Sequence, residues 1–159
     1  MAILKIARMG HPVLRRVADP VADPADPEIQ RLVRDMAETM EDAAGAGLAA
    51  PQVHASSRII LFIVPAVRAT HENEEDRPRG LSVLINPEIE PVGTEMIPGW
   101  EGCLSIPGIR GIVPRYAHIR YRGLDLHGNP VEREAKGFHA RVVQHEMDHL
   151  DGILYLDRS

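Results

Sequence analysis

The chain has 159 residues, 44% hydrophobic and 26% charged, proportions that exclude wholesale disorder and fibrous architecture and leave room for one core, so a single domain over residues 1–159 is expected. Its 18 Lys and Arg against 23 Asp and Glu leave a net charge of -5, a field that repels a phosphate backbone and argues against nucleic acid as a partner. Cys103 has no second thiol to pair with, and no apolar run is long enough for a membrane span or a signal peptide, so a cytoplasmic protein is expected, with a mature organellar form looking the same.

His11-Pro12-Val13-Leu14-Arg15 opens an extended stretch, and the three Asp-Pro pairs between Asp19 and Pro27 predict a loop, because the residue before proline avoids the helical region. Asp26 then stands as a helix N-cap with Pro27 at the first helical position. Ile29, Leu32, Val33, Met36 and Met40 repeat at helical spacing, so an amphipathic helix is expected from about Pro27 to Ala44, packing its apolar face on the core. Gly45-Ala46-Gly47-Leu48-Ala49-Ala50-Pro51-Gln52 follows, small enough to bring bare backbone close to a ligand or another chain.

Arg58 to Val64 is β-branched and apolar and reads as a buried strand, whereas the acidic run from His71 to Gly80 reads as a solvated loop whose charge serves solubility. Leu81 to Ile85 is a further strand, stopped by Asn86-Pro87. Ile119 to Leu126 and Val131 to Ala135 flank His127-Gly128-Asn129-Pro130 as an antiparallel pair. A last helix runs from Gly137 to about Leu150, with Val142, Val143, Met147 and Leu150 as its apolar contacts. The order is mixed rather than strictly alternating, which predicts an α+β fold.

That last helix carries the most specific chemistry, His145-Glu146-Met147-Asp148-His149. Residues four apart share a helical face, so both imidazoles can reach one metal ion while Glu146 is turned toward a water on that ion. A catalytic site of this type takes three protein ligands plus water. The metzincin pattern would place its third His at the position of Tyr155, and too few residues follow His149 for a glutamate from a later helix. Asp151 and Asp157 are available but lie close by, which directs the search upstream to Cys103, in Glu101-Gly102-Cys103-Leu104-Ser105. A thiolate suits a borderline-soft metal. A nucleophilic Cys103 with His145 or His149 as base is the rival, and it leaves Glu146 unexplained.

Three stretches together resemble the peptide deformylase family: Gly45 to Gln52, Glu101 to Ser105 and Gln144 to His149, in the family's order and spacing, with similarity from His11 onward. The resemblance implies an α+β fold in which antiparallel β-sheets wrap around a central metal-binding helix, with an additional N-terminal helix. It implies hydrolysis of the N-formyl group from the initiator methionine of nascent polypeptides, releasing formate. Carried over by position, Cys103, His145 and His149 are metal ligands, Glu146 is the general acid/base, and the Gln52 amide and Leu104 N–H stabilise the oxyanion. Ala46 and Gly47 then pair with the substrate backbone, Arg110 lies near the peptide and Val142 lines the methionine pocket. The implied cofactor is one divalent ion per chain, Fe2+ in the family, with Zn2+, Ni2+ or Co2+ as alternatives. Partners implied are formylated nascent peptides and transient contact with the ribosome, made by a monomer without membrane or direct nucleic-acid binding. Longer members continue past the position of Ser159 into a further helix. An H-E-x-x-H endoprotease and a binding protein with a structural metal are the competing readings; dependence on the N-formyl group separates out the first, and a closed four-ligand site would mark the second.

Overall fold

The computed structural model describes residues 2–159. Helix α1 (Pro27–Asp42) starts where the sequence places it, with the Asp26 carboxylate accepting from the Glu28 N–H at 2.9 Å and Pro27 supplying a first-turn residue whose N–H is not needed. It ends two residues before Ala44. Ala44 takes a left-handed φ of 55°, and the N–H groups of Ala44 and Gly45 bond back to the Glu41 and Met40 carbonyls at 3.0 Å, closing the last turn as a Schellman motif.

The main sheet has five antiparallel strands in the order β1 (Gly47–Ala49), β2 (Ile59–Val64), β3 (Arg79–Pro91), β6 (His118–Leu124) and β7 (Pro130–Lys136). Strand β2 lies inside this sheet and is covered on both faces. Ile60, Phe62 and Val64 pack with Val142, Val143, Met147 and Leu150 of helix α2 (Gly137–Leu150), whereas Ile59 and Leu61 pack with Val33, Met36 and Met40 of α1. Period-two alternation thus sends successive apolar side chains to two different helices, which is why this strand is apolar without interruption. The turn between β6 and β7 and the bounds of α2 follow the sequence reading.

Three expectations need correction. Pro12–Arg15 form a turn of 3-10 helix rather than an extended stretch, because the His11 ring nitrogen accepts from the Val13 N–H at 3.1 Å and starts the turn. Asn86-Pro87 does not stop β3. Asn86 adopts φ 53° in a bulge between Ile85 and Glu88, and its side-chain amide bonds both backbone groups of Val21 at 2.8 and 2.9 Å. The acidic loop is only partly solvated, since Asp76 is fully buried and accepts from the N–H groups of Thr70 and His139. Its carboxylate caps the start of α2, occupying the space where any side chain at Gly137 would go. Beyond these, β4 (Met96–Cys103) and β5 (Ile106–Tyr116), a stretch to which the sequence reading assigns no element, form a separate two-stranded hairpin. This segment carries Pro98, Gly99, Gly102, Pro107, Gly108 and Pro114, residues with low strand propensity. A detached hairpin tolerates those prolines, since neither strand must satisfy a neighbour on both sides.

Candidate active site

Helix α2 is buried almost all round, including His139, Gln144, His145, Glu146, Asp148 and His149. Buried polar groups need partners, so this helix must be surrounded by matching donors and acceptors. The β4–β5 hairpin supplies most of them. Its register shifts between Gly102 and Cys103, a bulge that re-aims the cysteine at the tip.

Cys103 Sγ lies 3.4 Å from His149 Nε2, and the ligand atoms of Cys103, His145 and His149 all lie within 4.8 Å of one another. On His145, Nδ1 is engaged with Glu101 Oε1 at 2.8 Å, which fixes the tautomer and leaves Nε2 for ligation. A thiolate and two imidazoles grouped in this way fit a divalent transition metal of the Fe, Co, Ni or Zn type. His149 Nδ1 and Glu146 Oε1 are the polar atoms of the motif that are buried without a hydrogen-bond partner.

Charge is distributed unevenly here. Burial would raise the Glu101 carboxyl, but hydrogen bonds from His145 and Arg115, reinforced by the charge of Arg115, outweigh it and hold it down at about 2. Burial would lower His145, and its hydrogen bonds to Cys103 and Glu101 reverse that, up to about 10. Burial and the neighbouring His145 charge push His149 well below its ordinary value. Glu146, 4% exposed, is raised to about 7 chiefly by burial, a value suited to accepting and returning a proton near neutrality.

Beside these groups is a cavity of about 620 Å³, with Ala46, Gly47, Gln52, Cys103, Leu104, Arg110, Val142, His145 and Glu146 in its wall. The structure thus brings together every site residue expected from sequence. His149, 1% exposed, lies beneath the cavity rather than in its wall. Gln52 Oε1 accepts from the Ala49 N–H at 2.9 Å, which orients its amide, so Nε2 is directed at Cys103 Sγ (3.5 Å) and Ser105 Oγ (3.1 Å). Leu104 and Ser105 form the tight connection between Cys103 and Ile106. Gly47 is dictated by contact: a side chain there would collide with the Glu146 carboxylate.

Sequence reasoning did not assign the groups beneath the ligands. Arg115 is 3% exposed and forks onto Glu101 with both contacts at 2.9 Å, while its Nη1 reaches Asp148 Oδ2 at 2.6 Å. Arg141 donates to Glu101 at 2.7 Å and to the carbonyls of Val113 and Ile97. Phe138, with Arg68 stacked 4.4 Å above its ring, and Trp100 complete the cavity wall. The available signal was the acidic residue two before Cys103 within a motif; nothing local paired it with Arg115.

The sequence model of polypeptide deformylase matches residues 3–159. Peptide deformylase 2 of Ralstonia nicotianae is 51% identical over 154 residues, 96% of this chain and 85% of that protein. Peptide deformylase 1 of Bordetella pertussis is 52% identical over the same shares. Among solved structures, the peptide deformylase of Ehrlichia chaffeensis in complex with actinonin superposes with a TM-score of 0.91 at 36% identity, covering 100% of this chain and 90% of that one. The Met-Ala-Ser-bound class I type b peptide deformylase of Acinetobacter baumannii gives 0.85 at 40% identity, covering 98% and 99%. With a match of this extent in sequence and fold alike, the chain belongs to the polypeptide deformylase family of metal-dependent hydrolases.

Proposed function

We propose that residues 1–159 act as one catalytic domain in which Cys103, His145 and His149 hold a divalent ion and Glu146 moves the proton. The reaction is the family's: removal of the N-formyl group from nascent peptides. The observation that carries the residue assignment is the grouping of three ligand atoms within 4.8 Å of one another, two of them on Cys103 and His145, which line a cavity that Glu146 also lines. When bound, the ion supplies Lewis-acid chemistry, acidifying water and polarising a carbonyl.

The protein's own groups supply the rest. Glu146, through its unpaired Oε1, takes the proton of the attacking water and passes it to the departing amine. As the formyl carbonyl becomes an oxyanion, Gln52 Nε2 and the Leu104 N–H donate to it, with Gln52 already oriented by Ala49. Each such donor contributes about 2.7–4 kcal/mol in comparable sites, so Gln52→Ala slows turnover far more than it weakens binding.

Strand β1 is an edge strand, and an extended peptide can pair with it. The Ala46 carbonyl is already taken by the Ile63 N–H at 2.8 Å, and the Ala49 N–H points outward to Gln52. Alternation therefore turns the N–H and C=O of Gly47 toward the substrate. Val142 and Phe138 bound the methionine side chain, and Arg110 lies farther along the peptide. In this reading the ion is Fe2+, with Zn2+, Ni2+ or Co2+ able to occupy the same set, and a cytoplasmic monomer meets its formylated chain in transient contact with the ribosome. The Met-Ala-Ser complex of the Acinetobacter relative supports a peptide of that length in this cavity.

The test is formate release from formyl-Met-Ala-Ser by metal-loaded protein, with loss in Glu146→Gln. Turnover of unformylated peptides at internal bonds, with no formate released, would overturn the reading in favour of an endoprotease.

A further inference from the structure

Two features of the segment after α2 converge on one metal-site histidine. The Tyr155 ring stacks on His145, with centroids 5.9 Å apart and planes inclined by 25°. Its hydroxyl donates to the Ile109 carbonyl at 3.0 Å. From the same turn, Arg158 forks onto Asp148, Nε to Oδ2 at 2.6 Å and Nη2 to Oδ1 at 3.0 Å. Asp148 then meets Arg115 at 2.6 Å, Arg115 forks onto Glu101 at 2.9 Å, and Glu101 meets His145 Nδ1 at 2.8 Å. Side-chain exposure falls from 45% at Arg158 to 12% at Asp148, 4% at Arg115 and 5% at Glu101. The turn is itself pinned, since Asp157 accepts from Arg15 at 2.6 Å and from the Leu154 N–H at 2.8 Å.

We propose that Tyr155 and Arg158 form a clamp that orients His145, Tyr155 through its ring face and Arg158, as a positioning residue, through Asp148, Arg115 and Glu101. This rests on the assignment of Cys103, His145 and His149 as ligands. The clamp works by sharing charge. Asp148 is held by two guanidinium groups, so Arg115 need not neutralise it alone and can keep its fork on Glu101. Without Arg158, Arg115 is drawn toward Asp148, and the carboxylate that fixes the His145 tautomer is left mainly to Arg141. Groups that orient ligating histidines in this way change metal affinity or activity by about 10–100-fold when removed.

The experiment compares wild type, Arg158→Ala, Arg158→Lys and the surface control Arg122→Ala, each loaded with Co2+. The readouts are the visible absorption of the Co2+–thiolate centre, the rate of Co2+ release to a chelator, and kcat and KM on formyl-Met-Ala-Ser. Arg158→Ala is expected to shift the spectrum, speed release about tenfold, at the low end of that range because it acts through intermediates, and lower kcat with KM unchanged. Arg158→Lys restores charge without the fork and recovers part of the loss; Arg122→Ala matches wild type. A lower melting temperature in Arg158→Ala with wild-type spectrum and release overturns the clamp and leaves a structural role only. Cys103→Ser separates the two readings. If it leaves the wild-type spectrum unchanged, the ligand assignment falls and the clamp with it; if it changes the spectrum but Arg158→Ala does not, the clamp alone falls.

Discussion

Two regions of this molecule use the same chemistry with opposite consequences. Beneath the ligand cluster, Glu101, Arg115 and Asp148 pair at 2.6–2.9 Å with side chains 4–12% exposed. On the outer face of the sheet, Arg122 meets Glu88 at 3.2 Å and Arg120 meets Glu90 at 3.3 Å, with side chains 44–73% exposed. The distances differ by a few tenths of an ångström; the surroundings differ far more. Water already solvates the surface ions, so pairing them gains little, whereas each buried ion has exchanged its water for its partner and cannot lose it cheaply. A short ion pair is thus informative about function only where burial makes its partner indispensable.

The sharpest way to break this contrast is to remove the buried hub. Glu101→Ala removes the fork from Arg115, takes the carboxylate partner from Arg141 and frees the His145 tautomer, so a loss of about 3–5 kcal/mol in urea unfolding is expected, together with loss of bound metal. A loss below about 1 kcal/mol with metal retained would put the buried cluster on the same footing as the surface pairs.

A second, smaller effect tests burial without an ion pair. His139 is 2% exposed, and burial, with the nearby charges of Arg79 and Arg133, lowers it to about 4 against the opposing Glu75 carbonyl and Asp76. The unfolded chain takes up this proton near pH 6.5 while the folded protein refuses it until about pH 4. Stability therefore falls as pH drops between these values, by at most about 1.4 kcal/mol per pH unit from this group. Unfolding curves of wild type and His139→Gln across that window should differ in slope by this contribution; parallel curves would show that the site binds its proton normally.

At the bottom of the scale, Arg122→Ala on the outer sheet should cost less than about 1 kcal/mol, and that small cost should vanish in molar salt. A salt-independent loss larger than this would mean that the exposed ladder holds the sheet together in a way the comparison denies.

Legibility in the sequence follows the range of the interactions. The bounds of α2 and the start of α1 were readable because a cap, a proline and an apolar period are local signals. Cys103 and the histidine pair were readable because metal chemistry restricts residue type and spacing. Asp76 was misread as solvated, since its partners at Thr70 and His139 come from two segments and only folding joins them. The β4–β5 hairpin was missed because its prolines and glycines oppose strand locally, and the contacts that justify it are with Arg141, Tyr155 and His145.

By itself, the sequence determined the α+β class and the histidine pair, because periodicity, caps and the four-residue ligand spacing are written within a few residues of one another; the family and the roles of Gln52 and Leu104 came with the resemblance of three separate stretches. Only the tertiary structure decided how those residues are held. The partnership of Glu101 with Arg115, its extension through Asp148 to Arg158, the stacking of Tyr155 on His145 and the fit of Gly47 against Glu146 each join distant positions. The physical reason is burial. Once α2 is enclosed on all sides, every polar group on it must find a partner from whichever segment the topology brings near, and no local pattern in the chain records which segment that will be.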